Sequence, residues 1–251
     1  MERTNVDLHV KILDREVAER AKARGLDVLV YAPHFTRYPE ARERAARFTD
    51  DDLLVVPARE IFTGSVRDRK HLLALDLSEP VPDFITLEGA MTELRRQDAT
   101  VLVPHPAFMT VSLDERDVFR YADQIHGVEV YNPKHLERHN ERAERIARAG
   151  EFDMFGSSYA HLRATVGEVW TAFDRGIETE AELISAITEG VGRRVLRRRG
   201  PTHHVRRAAE FAHLGWENSW QKIDRVLLSG IEPTHPHHIA YGGRFDDVSV
   251  Y

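Results

Sequence analysis

Short aliphatic and β-branched runs recur along the first part of the chain, and longer amphipathic segments separate several of them. We interpret seven of these runs as strands, at residues 6–10, 28–32, 53–58, 71–75, 100–104, 127–132 and 152–157. Strands that alternate with helices form a parallel sheet with crossover helices. The sequence therefore predicts an α/β fold, either a closed or nearly closed barrel or an open doubly wound sheet.

Five segments have the apolar spacing or the capping residues of amphipathic helices, at residues 13–24, 86–97, 114–124, 134–149 and 179–189. Apolar residues of the second, from Leu87 to Leu94, recur at the spacing of one helix face. In the last segment Thr179 and Glu182 have the spacing of a capping box. No Gly-x-Gly-x-x-Gly motif follows the first strand, so the sequence does not support a dinucleotide site.

The composition narrows the chemistry that the fold can carry. The 251 residues contain no cysteine, which excludes disulfides, iron–sulfur clusters, a thiol nucleophile and zinc sites of the Cys type. The chain has 14 histidines, so His, Asp and Glu are the ligands available to a catalytic transition metal. A net charge of −6 argues against a general nucleic-acid binder. The apolar runs are too short to cross a membrane and no signal-peptide pattern is present, so we expect a cytoplasmic protein.

The last fifty residues differ from the rest of the chain. A basic run at residues 193–199 is followed by Gly200-Pro201, and we interpret this run as the solvated end of a helix, with phosphate or RNA contact as the alternative. We therefore predict a barrel over residues 1–199 and a C-terminal extension, residues 200–251, packed on it.

Metal-binding side chains occur at the ends of six candidate strands. Because the C-terminal ends of the strands of a parallel barrel open on one face, these side chains are expected to converge there. A single histidine beside a strand is usually structural, but six such positions in succession indicate a site. The six residues are His9, His34, Glu60, His71, His105 and His161.

At these positions the sequence resembles the PHP (polymerase and histidinol phosphatase) family, over residues 6–199. The motifs that carry the resemblance are, in family order, Asp-Leu-His-Val-Lys at 7–11, Pro-His at 33–34, Ala-Arg-Glu at 58–60, the strand histidine His71, His-Pro at 105–106 and Gly-Ser-Ser-Tyr-Ala-His at 156–161. The resemblance implies a distorted (β/α)7 TIM-like barrel with two or three metal ions, often zinc, manganese or iron. It also implies hydrolysis of phosphate monoesters or diesters.

The chain departs from the family at two ligand positions. Lys11 stands where the opening motif has its second histidine, and Tyr159 most simply replaces the closing aspartate. The resemblance therefore leaves one complete ligand set, which consists of Glu60, His71 and His105.

Two further sets are incomplete by the same comparison. The set that contains His9 has lost a histidine and an aspartate, and the set that contains His34 and His161 lacks a third ligand. We expect one well-formed site for a divalent ion, zinc, manganese or iron, with at most a weaker second ion.

The function implied is a metal-dependent phosphoesterase that acts on a small phosphorylated metabolite or nucleotide. His34 or His161 would protonate the leaving group, and Lys11 would offset phosphate charge. Arginines next to ligand positions would bind the phosphate, namely Arg59, Arg69 and Arg163. One alternative is a catalytically degenerate barrel that serves as a scaffold or binding module. The other is an RNA-binding barrel that resembles the protein subunit of ribonuclease P.

Overall fold

A computed structural model describes residues 3–65, 68–108, 111–206, 208–210, 212–213 and 233–250. Nine strands form one sheet, in the order β7-β6-β5-β4-β3-β2-β1-β8-β9. The strands are β1 (Thr4–Val10), β2 (Val28–Tyr31), β3 (Leu54–Thr63), β4 (Lys70–Leu75), β5 (Thr100–Val103), β6 (Ile125–Tyr131), β7 (Met154–Gly156), β8 (Val169–Phe173) and β9 (Arg193–Arg197). The seven predicted strands are confirmed as β1–β7, and the sheet curls into a nearly closed barrel.

The prediction of an all-parallel sheet is wrong. Strand β4 pairs antiparallel with both β3 and β5, and β8 pairs antiparallel with β1 and β9. The connection from β3 to β4 covers only residues 64–69, which is too short for the crossover that a parallel pair needs. As a result His71, near the start of β4, pairs with Phe62 at the end of β3 and lies on the same barrel face as the C-terminal ends of the parallel strands.

The barrel is nearly closed where β7 and β9 approach each other. A Cβ atom at Gly156 would lie 2.5 Å from Cγ1 of Val195, so only glycine permits this approach. The basic run that was predicted to end a helix instead contains β9, and that prediction is wrong. Backbone pairing with β8 outweighs the charge of the run, because its arginine side chains reach solvent or acidic partners such as Asp153.

Six α-helices lie among the described residues before position 200: α1 (Arg15–Ala23), α2 (Tyr38–Ala46), α3 (Leu87–Arg96), α4 (Glu115–Arg120), α5 (Glu137–Ala149) and α6 (Glu180–Thr188). Five of them confirm predicted helices, and the capping box of Thr179 and Glu182 is present at the start of α6. Helix α2 was not predicted. It begins after Arg37 with Pro39 in its first turn, and Glu40 accepts hydrogen bonds from Arg37. Residues 201–206 and 208–210 are helical as well.

The core lies inside the barrel and between the barrel and its helices. Interior residues such as Leu73 and Phe155 form one cluster with Leu183 and Ile187 of α6. A second cluster packs α3 against the sheet and includes Tyr241 and Phe245 from the C-terminal residues. None of the described helices is long and apolar enough to span a membrane.

Candidate metal centre

The Glu60 carboxylate lies at the centre of the predicted site and is fully buried. Its Oε1 atom faces three imidazoles: His105 Nε2 at 3.0 Å, His71 Nδ1 at 3.3 Å and His9 Nε2 at 3.8 Å. Its Oε2 atom faces two other groups, Lys11 Nζ at 2.5 Å and His34 Nε2 at 2.9 Å. The two carboxylate oxygens therefore have different partners, histidines on one side and a lysine and a histidine on the other.

Strand geometry brings these residues together. Alternate residues of a strand point to the same face, so Glu60 shares the interior face of β3 with Val56 and Ala58. His105 follows β5 with a φ of 35°, a left-handed conformation that non-glycine residues rarely adopt. Its backbone N–H donates to Glu129 Oε2 at 2.7 Å, and its Nδ1 atom lies 2.9 Å from Ser112 Oγ. These contacts hold the ring against Glu60.

Several buried imidazoles lack hydrogen-bond partners for their ring nitrogens. Both ring nitrogens of His9 and of His71 are buried, and none of them forms a hydrogen bond with a group among the described residues. Buried polar atoms are normally satisfied, so such nitrogens in a cluster point to a ligand. Burial lowers the pKa of His71 to about 4 and that of His34 to about 3, and it holds the pKa of His9 well below its ordinary value. These histidines are neutral at pH 7, which is the form that binds metals.

Glu60 stays ionised in spite of its burial. Burial alone would raise its pKa, but the positive charge of Lys11 and the hydrogen bond with His105 hold the pKa of the carboxyl well below its usual range. An ionised carboxylate is the state that a metal ligand requires.

One group of side chains is arranged to bind a cation. Each of Glu60, His71 and His105 offers one ligand atom, and these three atoms lie within 4.8 Å of one another. Two imidazoles and one carboxylate form the donor set of several catalytic zinc sites, which keep a further position open. The residues therefore fit a divalent ion, and they are the set that the sequence predicted to be complete.

Two buried carboxylates support the site without reaching it. Asp7 of the opening motif accepts hydrogen bonds from the backbone N–H groups of Ser158 and Gly167. It thereby ties β1 to the segment after β7. Burial raises the pKa of Asp7 to about 6, although its hydrogen bonds act to lower it.

Glu129, which sequence analysis missed, accepts a hydrogen bond of 2.5 Å from Ser157 Oγ, in addition to the one from the backbone N–H of His105. Burial raises the pKa of Glu129.

A second polar group borders the centre on the side of His34. The His161 ring lies 5.3 Å from the His34 ring, and its Nδ1 atom is in hydrogen-bond contact with Lys134 Nζ. Lys134 Nζ also lies 3.0 Å from Glu210 Oε2, and both side chains are buried. Glu210 Oε1 accepts from the backbone N–H groups of His161 and Leu162, at 2.9 Å each. The sequence predicted neither Lys134 nor Glu210.

The three predicted substrate-binding arginines lie in different surroundings. Arg59 is fully buried and pairs with Asp83 at 3.0 Å. Arg163 is largely exposed and pairs with Asp14 and Glu16 at the start of α1. The Arg69 guanidinium lies over the Phe84 ring, 5.1 Å from its centroid. The structure thus commits Arg59 and Arg163 to ion pairs away from Glu60.

Comparisons with known proteins find similarity over parts of the chain. The PHP-associated family model, PHP_C, matches residues 137–191. An uncharacterized protein of Methanocaldococcus jannaschii is 29% identical over 127 residues, which are 47% of this chain and 51% of that protein. The chain therefore matches about half the length of this curated relative.

Similar solved structures establish the fold. PsfC from Pseudomonas syringae superposes with a TM-score of 0.64 at 20% identity, over 85% of this chain and 100% of that one. The lesion-specific endonuclease EndoQ from Pyrococcus furiosus superposes with a TM-score of 0.59 at 16% identity, over 77% of this chain and 58% of that one. An amidohydrolase from Chromobacterium violaceum, with bound sulfate and no metal, superposes with a TM-score of 0.53 at 15% identity, over 77% of this chain and 98% of that one. At these identities the likeness concerns the fold.

Proposed function

We propose that this chain, which carries a PHP-family domain, is a metal-dependent hydrolase of phosphate esters. The observation that carries the proposal is the convergence of Glu60, His71 and His105 on one buried point, beside a His9 ring whose nitrogens form no hydrogen bond with any described residue. Buried imidazole nitrogens without a partner cost free energy, and a bound metal ion would provide that partner.

The proposed resident ion is divalent, with zinc, manganese or iron as candidates. Glu60, His71 and His105 would hold it, and His9 lies close enough to Glu60 to assist. When bound, such an ion lowers the pKa of a coordinated water and polarises a phosphoryl oxygen. The protein itself supplies a buried, ordered pocket in which these interactions are strong.

His34 is the side chain best placed to exchange a proton with the reacting groups. Its side chain is 18% exposed, whereas those of Glu60, His71 and His105 are at most 8% exposed. Its ring packs edge-on against Phe62 and Phe35, which fixes its orientation. His34 therefore lies where the site meets solvent. Because its ring is neutral at pH 7, we assign it the role of a general base that accepts the proton of the attacking water.

The charge of the site suits a phosphate monoester. Lys11 and Glu60 form an ion pair, as do Lys134 and Glu210, so each pair has no net charge. A divalent ion would then leave the site with a charge of about +2, which matches the dianion of a monoester. We therefore propose a small phosphorylated metabolite or nucleotide as the substrate. Arg69 is retained as a phosphate-binding candidate.

A phosphodiester in DNA is a second candidate substrate. It is favoured by the similarity of the fold to EndoQ, whose structure has been determined with a duplex that carries an abasic lesion at the active site. A net charge of −6 opposes it, because nucleic-acid binding is driven by positive surfaces.

The proposal is tested with tag-free protein, wild type and His105→Ala, assayed before and after chelation and again after addition of zinc, manganese or iron. We expect hydrolysis of p-nitrophenyl phosphate to depend on metal and to exceed hydrolysis of bis-p-nitrophenyl phosphate. His105→Ala should lose on the order of 10²-fold or more in metal affinity, since outer partners alone contribute about 10–100-fold.

His139→Ala is the matched control, because His139 lies on α5 and is not part of the Glu60 cluster. It should keep both metal and activity. A wild-type protein that binds none of the three metals would refute the hydrolase proposal. Preferential cleavage of the diester would favour the DNA candidate.

A further inference from the structure

We propose that the ammonium groups of Lys11 and Lys134 are built-in cations that replace two metal ions of a multinuclear centre. The centre would then hold one divalent ion, at Glu60, His71 and His105. This inference rests on the proposed function and specifies how the positive charge of the site is supplied.

The first built-in cation is Lys11, which lies directly after β1. Its side chain is 3% exposed, and Nζ donates to Glu60 Oε2 at 2.5 Å and to the backbone carbonyl of Ala32 at 2.8 Å. The histidines His71 and His105 face the other oxygen of Glu60. Glu60 is thus placed to bind the Lys11 ammonium with one oxygen and the proposed metal ion with the other.

The second built-in cation is Lys134, which follows β6. Its Nζ atom contacts His161 Nδ1 and Glu210 Oε2, an imidazole and a carboxylate that could otherwise serve as metal ligands. The His161 ring lies 5.3 Å from that of His34. The ammonium therefore lies between two potential metal ligands, His161 and Glu210, in place of a further ion.

Tyr159 lies between the two lysines. Lys11 Nζ is 5.5 Å and Lys134 Nζ is 4.2 Å from the centroid of its ring, and both distances are within the range of cation–π contacts. The same ring lies 4.7 Å from that of His9 and 5.3 Å from that of His105. An aromatic face stabilises an ammonium group but is not a ligand for a hard divalent ion. Tyr159 thus favours lysine over metal at both positions.

Charge repulsion reinforces this preference. A divalent ion placed beside Glu60 Oε2 would lie next to the Lys11 ammonium, and one placed beside Glu210 Oε2 would lie next to Lys134. Among the described residues, the carboxylates that form ion pairs with these two ammonium groups are Glu60 and Glu210. Each is already paired with a lysine, so within the described residues these carboxylates offer a second or third ion little additional negative charge.

The experiment counts bound metal. Metal-free protein is saturated with Zn²⁺ or with Mn²⁺, freed of excess metal by gel filtration and analysed by inductively coupled plasma mass spectrometry. Circular dichroism confirms that each variant is folded. We expect one equivalent in the wild type and in Lys11→Met, which removes the charge without adding a ligand.

Two variants should gain metal. Lys11→His combined with Tyr159→Asp supplies an imidazole and a carboxylate in place of an ammonium and a ring, and it should bind a second equivalent. Lys134→Ala frees His161 and Glu210, and it should bind a second ion more weakly. The control is Lys22→Ala, which removes an exposed ammonium paired with Asp50 and should leave the count at one.

The outcomes separate the two proposals. Two or more equivalents in the wild type would overturn this inference and leave the proposed function intact. One equivalent in the wild type and still one in both folded gain-of-ligand variants would also overturn it. No metal in the wild type would refute the proposed function, and with it the count of one ion.

Discussion

The backbone N–H of His105 donates a 2.7 Å hydrogen bond to the carboxylate of Glu129, a side chain that is itself buried between β5 and β7. The same carboxylate accepts from Asn132 and Ser157. Glu129 thus fixes the backbone of His105 in its left-handed conformation and aims the ring at Glu60. It supports a metal ligand without contacting the proposed ion.

We therefore expect Glu129→Gln to weaken metal binding by about 10–100-fold, the range found for partners of metal ligands. The amide retains the volume of the side chain but replaces one acceptor oxygen with a donor. The measurement is the dissociation constant for Zn²⁺, determined by competition with a chromogenic chelator. Glu43→Gln serves as control, because Glu43 forms an exposed ion pair with Arg47 on α2. Unchanged affinity in Glu129→Gln would show that His105 does not need this support.

The sequence predicts the site residues that adjoin a recognisable strand, and it does not predict those that reach the site through tertiary packing. His9, Glu60 and His105 are predictable because a polar residue at the end of an apolar strand is unusual and the strand ends of a barrel converge. His71 was expected at the correct face for an incorrect reason. It lies near the beginning of β4, and only the antiparallel direction of that strand brings it to the mouth.

Lys134 and Glu210 could not be found in this way. Lys134 lies in the connection after β6, where strand ends converge, but nothing local distinguishes it from a surface lysine. Glu210 belongs to the segment after the barrel, and its contact with Lys134 arises only from tertiary packing. Two additional strands, β8 and β9, were missed. The basic run suggested a helix end in place of β9, whereas pairing along β8 decides the structure of that segment.

Arg59 should act in stability and not in substrate binding. Neighbouring residues of a strand point to opposite faces, so the face that presents Glu60 cannot also present Arg59. Its guanidinium is buried against Asp83 and the carbonyl of Thr36. Arg59→Ala leaves a buried carboxylate unpaired and should reduce the free energy of unfolding by about 3–5 kcal/mol.

Urea denaturation measures that loss. A variant in which Asp83 is also changed, Arg59→Met with Asp83→Leu, should recover much of the stability, because neither buried charge then remains. If Arg59→Ala instead keeps the stability of the wild type and raises the KM for substrate, Arg59 binds substrate and the stability prediction is wrong.

Glu168 should anchor the residues that follow the barrel. Its carboxylate pairs with Arg24 at 2.7 Å, His203 at 2.7 Å and Arg206 at 2.8 Å, and its side chain is 2% exposed. Glu168→Gln leaves the half-buried Arg24 without its carboxylate and should destabilise the fold by about 3 kcal/mol or more. It should also hasten tryptic cleavage near residue 206, where helical residues pack on this carboxylate.

Glu144→Gln is the matched control for that experiment, since Glu144 pairs with Arg148 on the surface of α5. Exposed pairs contribute about 0–1 kcal/mol. Equal stability of the two variants would contradict an anchoring role for Glu168.

Stability should fall as the pH is lowered from 7 towards 5, and His126 should contribute to this dependence. Its Nδ1 atom accepts a hydrogen bond from the backbone N–H of Val101 at 3.1 Å, which requires an unprotonated ring. Burial lowers the pKa of His126. Because the folded-state pKa lies below the unfolded value, the unfolded chain takes up the proton first as the pH falls through about 6.5. Acidification therefore favours unfolding.

The buried histidines of the metal centre add to the same dependence, so the contribution of His126 must be measured as a difference. Urea denaturation of metal-free wild type and His126→Gln at several pH values between 5 and 7.5 gives the slope of the free energy of unfolding with pH. We expect the slope of the variant to be smaller by up to one proton, because glutamine does not titrate in this range. Thr188→Gln, at an exposed position at the end of α6, is the control and should leave the slope unchanged, because neither side chain titrates. Equal slopes for wild type and His126→Gln would mean that His126 titrates alike in the folded and unfolded chain.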